Sequence, residues 1–160
     1  MTLQNVDALL GRTVTGIYMI RFLLPDGEPI YTDDPIIVDT QTASLCFRAK
    51  AECLIVEDKW IDPFSSRYVM GNPVYPSNIV QMRNEIGGNY IIDVSKDIKF
   101  SVYQGKSICS YRYIKNPFNQ VVGVVLYLDQ LPLTFVVMGE ECMINPARLP
   151  EGFQVVESNI

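Results

Sequence analysis

Histidine is missing from all 160 residues of this chain. Its absence removes the usual general base, the Ser-His-Asp and Cys-His arrangements, and the commonest metal ligand. The four cysteines include no Cys-x-x-Cys pair, so neither a zinc knuckle nor a dithiol redox pair is expected. Basic residues are few, 13 Lys and Arg against 18 Asp and Glu, for a net charge of −5. That balance speaks against nucleic acid, whose phosphate backbone is held by clustered cations, and suits a partner with a basic surface. Phosphate-cradling glycine loops are lacking too, since Gly87-Gly88 has no following glycine or lysine in the required place. No apolar run approaches the ~20 residues that span a bilayer, and the start, Met1-Thr2-Leu3-Gln4-Asn5, has no basic flank or apolar run. The expectation is a cytoplasmic protein without membrane contact, its cysteines reduced and packed in the core.

What is present is the composition of an ordinary globular chain, 48% hydrophobic and 19% charged, at the usual size of one domain. A single domain over residues 1–160 follows. Within it one stretch is echoed by another. Leu45-Cys46-Phe47 followed by Glu52-Cys53-Leu54-Ile55 reappears as Leu133-Thr134-Phe135 followed by Glu141-Cys142-Met143-Ile144. Each reads as strand, turn, strand. Residues 5–10 form a short helix candidate stopped by Gly11, and residues 78–86, capped by Ser77 and stopped by Gly87-Gly88, form another. Helix, glycine stop and strand thus recur, giving an internal repeat of residues 5–56 and 78–145 with an insertion before the second copy of the strand pair. The echoed cysteines, Cys53 and Cys142, align as matched core positions if the second turn is one residue longer.

Residues 57–77 join these halves. Pro63, Pro73, Pro76 and Gly71 interrupt a stretch that still carries Trp60, Phe64, Tyr68 and Tyr75, too aromatic for a free linker, so it is expected to be pinned across the body. Later, Gly105-Lys106 suits the two-residue turn of a hairpin in which Val102 faces Cys109, Phe100 faces Tyr111 and Ile98 faces Tyr113. That register places Tyr111 and Tyr113 inside. Residues 121–128 are an almost unbroken apolar run, fit for a strand buried on both faces, and residues 153–156 are a short strand that closes an edge.

No catalytic constellation emerges. Cys46 beside Phe47-Arg48 has no evident base, and the echo puts Thr134 in its place. Clustered carboxylates lack calcium-loop spacing, so no metal or other cofactor is expected. Asp62-Pro63-Phe64 and Asn116-Pro117-Phe118 each read as a strand exit into a turn with Phe folded back on the body. The Asn-Pro-Phe triplet is a peptide ligand in trafficking proteins when disordered, but the ordered setting favours a structural role.

The expected fold is mainly β (α+β): two related β units forming a partly open barrel or two packed sheets, with two short helices. The expected function is protein binding without catalysis. An acidic, histidine-free, β-rich chain with short helix-then-strand units and Leu-x-Phe sheet patterns resembles bacterial toxin-immunity proteins. The resemblance implies a one-to-one complex in which the immunity protein inhibits a toxin domain by covering its active site. Charge combined with aromatic anchors in turn-rich segments marks Asp33, Asp34, Glu57, Asp58, Trp60 and Phe64 as the candidate partner interface. Two alternatives are a small-ligand-binding, barrel-like domain and a self-associating assembly subunit that forms a homo-oligomer through strand edges.

Overall fold

The computed structural model describes residues 6–23, 29–30, 36–41, 44–57, 69–71 and 88–157. Seven strands belong to the first sheet: β1 (Val14–Leu23), β2 (Pro29–Ile30), β3 (Ile36–Thr40), β4 (Ser44–Lys50), β5 (Cys53–Glu57), β6 (Val69–Gly71) and β7 (Gly88–Asp93). Five form the second: β8 (Ile108–Lys115), β9 (Val121–Leu128), β10 (Leu131–Met138), β11 (Glu141–Ile144) and β12 (Gln154–Val156). The first has the order β5-β4-β3-β1-β7-β6, with β2 on the end of β1, and the second the order β11-β10-β9-β8-β12. All pairings are antiparallel except that of β6 with β7. The protein is therefore mainly β, built as two sheets, not as a closed barrel.

Alternation explains the layering. Ile36 and Val38 of β3, Leu45, Phe47 and Ala49 of β4, and Leu54 and Val56 of β5 meet Val124, Leu126 and Leu128 of β9 and Leu133, Phe135 and Val137 of β10 in one buried cluster. At its centre the Phe47 and Phe135 rings stack, centroids 4.1 Å apart and planes within 8°. The apolar run of β9 is buried on both faces, as its sequence requires. Its outer side belongs to a smaller cluster of Ile114, Val122, Val125 and Val136, against which Leu149 and Phe153 of the tail pack. Gly123 is needed in that strand, because a Cβ there would stand 2.6 Å from the Phe135 carbonyl oxygen.

Two expectations require correction. The short helix over residues 5–10 reduces to a helical turn at Val6 and Asp7, and the candidate over 78–86 lies outside the described residues. The hairpin across Gly105-Lys106 does not form; residues 101–103 are a 3-10 turn instead. Burial gives the reason. Phe100 and Tyr103, three apart, are buried, whereas Ile98 is 86% and Val102 48% exposed, so the period is helical and not two. Tyr103 is held by distant partners: its hydroxyl donates to the Pro132 carbonyl at 2.8 Å and accepts from Asn145 Nδ2 at 2.8 Å.

The two halves share one topology. Sheet order β5-β4-β3-β1-β7 matches β11-β10-β9-β8-β12 strand for strand. Registers match as well: Ile36 faces Phe47 as Val124 faces Phe135, and Phe47 faces Val56 as Phe135 faces Ile144. Both first strands carry a bulge at the same place, between Val14 and Gly16 and between Ile108 and Ser110. The turns preceding them are alike, with Leu9 N–H on the Val6 carbonyl and Tyr103 N–H on the Phe100 carbonyl. Gly11 and Gly105 both follow at φ +76°, a left-handed conformation that glycine adopts without strain.

The halves also join through equivalent residues. Val14 N–H bonds the Lys106 carbonyl as Ile108 N–H bonds that of Arg12, and Thr13 bridges Ser107. A pseudo-twofold axis thus passes through the Thr13·Ser107 pair and the Phe47·Phe135 stack. The matching registers correct the sequence alignment by one residue: Cys142 corresponds to buried Leu54, and Cys53 to Glu141. No longer turn exists in the second half, since Ala51-Glu52 and Gly139-Glu140 are equal in length. The counterpart of Gly11 is Gly105, not Gly87. The extra chain lies in the first half, in β2 with its flanks and in residues 58–87.

Candidate functional site

Of the six residues selected as an interface, the described residues include one. Asp33, Asp34, Asp58, Trp60 and Phe64 lie outside them. Glu57 ends β5, where its carboxylate accepts from Arg48 Nε at 2.8 Å and Arg48 Nη2 at 2.9 Å. This two-pronged bond raises the Arg48 pKa above its ordinary value, against the opposing effect of burial. All five undescribed candidates share one property of the topology. They fall in residues 24–35 and 58–87, the connections that are long in the first half and short in the second.

A second region stands on the outer face of the second sheet. The bulge at the start of β8 exposes both Cys109 and Ser110 beside Arg112 of the same strand, and they line an open concavity of about 680 Å³ with Tyr127, Asp129 and Gln130. The Arg112 guanidinium lies over the Tyr127 ring at 5.6 Å. Cys109 Sγ is 3.7 Å from Asp129 Oδ1. In the first half Tyr18, the counterpart of Arg112, lies across Gly16, where a Cβ would stand 2.7 Å from the Tyr18 ring. Arginine paired with a half-buried aromatic on rigid strands is the composition of energetically dominant interface residues.

No protein-family model, curated protein or solved structure matches this chain.

Between the sheets, near the β8 edge, Tyr111 and Tyr113 meet edge to face at 5.3 Å. The Tyr111 hydroxyl donates to Asp7 Oδ1, tying the first turn to β8. Burial, then the bond to Asp7, raises the Tyr111 pKa, and burial raises that of Tyr113. Tyr113 is 1% exposed, and among the described residues its hydroxyl interacts with that of Tyr111 without making a well-formed hydrogen bond. Among the described residues no three His, Cys, Asp or Glu side chains come together to hold a metal, and no helix is long and apolar enough to cross a membrane. The four thiols stand apart: Cys46 and Cys142 buried, Cys53 partly so, Cys109 exposed. The middle of the space between the sheets is occupied by the Phe47 and Phe135 rings, which a ligand bound there would have to displace.

The sequence offered no sign of the concavity. Its residues come from two strands and a turn, and the bulge that turns Cys109 and Ser110 to the same side leaves no mark in the pattern. Phe118 was expected to fold back on the body and does not: it is 82% exposed.

Proposed function

We propose that this chain is a non-catalytic protein-binding module, made of two copies of one unit, in which the first copy carries the additions that recognise the partner. The uneven elaboration of two otherwise matched halves supports this reading. The second half closes the same five-stranded order with short connections, so residues 24–35 and 58–87 are not needed to build that sheet. Extra chain of this kind, rich in turn formers yet carrying Trp60 and Phe64 among acidic residues, is what binding loops on a rigid scaffold look like. The specific form we favour is an immunity protein in the cytoplasm, meeting the basic face of a toxin domain with Asp33, Asp34, Glu57 and Asp58 and anchoring it with Trp60 and Phe64.

The test exchanges residues 58–87 for residues 146–151, the corresponding link of the second half. The variant is expected to keep its sheet signature by circular dichroism while losing the partner, sought first as the product of the gene directly upstream. Trp60→Ala and Asp58→Ala should each weaken that complex about tenfold or more. An exchanged chain that binds as tightly as the original would overturn the proposal.

A further inference from the structure

The two halves provide an internal control for what the fold itself requires, and the concavity on the second sheet has no counterpart in the first. At its centre the Arg112 guanidinium lies over the Tyr127 ring at 5.6 Å. Stacking on a ring fixes the plane of a guanidinium and leaves its N–H edge open. Among the described residues that edge makes no hydrogen bond, and the nearest carboxylate, on exposed Glu157, stands off at 3.8 Å. Asp129 lies at the other end of the same concavity and meets no cation among the described residues; its neighbour is the Cys109 thiol at 3.7 Å. Asp129 and Gln130 are both left-handed, at φ 49° and 75°, as the two-residue turn between β9 and β10 demands. Glycine is the usual second residue of such a turn, so Gln130 sets a side-chain amide on the rim while its backbone takes on strain. The matching registers give the first-half counterparts: Gly16 for Ser110, Tyr18 for Arg112, Asp39 for Tyr127 and Gln41 for Asp129. The same strands are thus built once without the stacked cation and without the carboxylate in the turn.

We propose that this concavity binds a short zwitterionic peptide of two or three residues, its terminal carboxylate on the Arg112 fork and its terminal ammonium on Asp129. The inference goes beyond the protein-binding reading and does not rest on it, since no residue of the first half takes part. Charge complementarity selects the class of ligand. A planar fork with unused donors takes a carboxylate or a phosphate in two parallel hydrogen bonds, and the carboxylates of Asp129 and Glu157 disfavour the more highly charged phosphate. An unmatched carboxylate in the same concavity calls for a cation on the same ligand. Spacing then sets the length. Asp129 follows two residues after Tyr127, over whose ring the guanidinium lies, and two strand residues advance about 7 Å. A free amino acid carries both charges on one carbon, whereas an extended peptide advances about 3.3–3.6 Å per residue and reaches that separation with two. The exposed Ser110 hydroxyl and the Gln130 amide are left for the peptide group between the ends. A volume of about 680 Å³ is of the size that holds such a molecule, and because the concavity is open the ligand's side chains stay in water. Recognition is therefore of the two termini.

Alanine peptides test this on the full chain. In amide proton–nitrogen NMR spectra, dialanine and trialanine should shift residues 109–112 and 127–130 in a saturable way and leave residues 14–18 and 37–41, the matching part of the first half, unmoved. Acetylating the amino end or amidating the carboxyl end should each weaken binding about tenfold, and free alanine should bind about tenfold more weakly than dialanine. Arg112→Gln should weaken the unmodified peptide about tenfold and no longer distinguish it from its amide; Asp129→Asn should do the same for the acetylated form. Both side chains are exposed, so neither change should move the melting temperature. The proposal is overturned by the absence of a saturable shift with either peptide, by blocked ends that bind like free ones, or by variants that still tell the two apart. Inorganic phosphate or free alanine binding more tightly than the peptides overturns it as well. Any of these results leaves the partner test of residues 58–87 as it stands.

Discussion

The stack of Phe47 on Phe135 is the most direct point at which to test the packing of the two sheets. Truncating either ring to alanine would cost about 3–5 kcal/mol, a large part of the 5–15 kcal/mol that holds a typical domain together, so leucine is the safer probe. Each leucine variant should lose about 1–2 kcal/mol, from reduced volume and the lost ring contact. The double variant loses that contact once and not twice, so its destabilisation should fall short of the sum of the singles. Aromatic pairs contribute roughly 0.5–1.5 kcal/mol beyond area burial. Near-parallel rings with centroids 4.1 Å apart form a stacked pair to which that range applies. The expected coupling is therefore about 0.5–1.5 kcal/mol, read as the non-additive part of a double-mutant cycle in urea at constant m value. Phe47→Leu with Ile114→Val is the control, because Ile114 lies in the other cluster, on the outer side of the second sheet. Additivity of the Phe47 and Phe135 changes to within about 0.3 kcal/mol would refute the stacked arrangement and, with it, the axis drawn through it.

Three further outcomes follow from individual side chains. Tyr113→Phe removes a buried hydroxyl that makes no well-formed hydrogen bond and should stabilise the protein by about 1 kcal/mol, raising the melting temperature by roughly 2–4 °C; a fall in calorimetry would mean that the hydroxyl is bonded, to Tyr111 or through a trapped water. Gly123→Ala places a methyl group 2.6 Å from the Phe135 carbonyl oxygen and should cost about 1–3 kcal/mol in a denaturant titration, and an unchanged midpoint would contradict the close approach of β9 and β10. Tyr111 and Tyr113 both titrate above the ordinary tyrosine value of 10.0, because burial disfavours the phenolate. Their contribution is thus fully present below pH 10, and above it the unfolded chain releases protons that the folded chain retains, so stability declines. Denaturation at pH 8 to 11 should show a steeper decline for the natural chain than for the Tyr111→Phe, Tyr113→Phe double variant; equal slopes would show that these tyrosines are not the cause.

Local pattern carried much of the fold. The apolar run of β9, the hairpins β4–β5 and β10–β11 and the edge position of β12 were legible because periodicity, turn residues and pairing partners lie close together in the chain. Residues 98–113 were misread because Ile98, Phe100 and Val102 alternate as a strand would, while the deciding bonds of Tyr103 go to Pro132 and Asn145, far along the sequence. The repeat was seen but misaligned. Matching Cys53 to Cys142 by letter shifted the register by one, and in a strand that moves a side chain to the opposite face. The true correspondence pairs unlike residues, Leu54 with Cys142 and Leu9 with Tyr103, and only burial and hydrogen bonding reveal it. For the site, the sequence singled out Glu57, which ends β5, and five acidic and aromatic residues that lie outside the described residues. It missed the concavity at Arg112 and Tyr127 and the outward display of Phe118, since side-chain direction depends on a bulge and a turn that composition does not encode.

The pseudo-twofold contact through Thr13·Ser107 and Phe47·Phe135 is isologous, the geometry by which two identical subunits close on each other. Here both surfaces belong to one chain, and residues 94–99 tether them. Such a tether replaces the concentration of a free partner by an effective concentration in the millimolar range, set by the linker alone. An association of separate subunits weakens on dilution, whereas this one keeps the same melting temperature at any protein concentration. A low-abundance protein organised in this way stays assembled without relying on a second molecule.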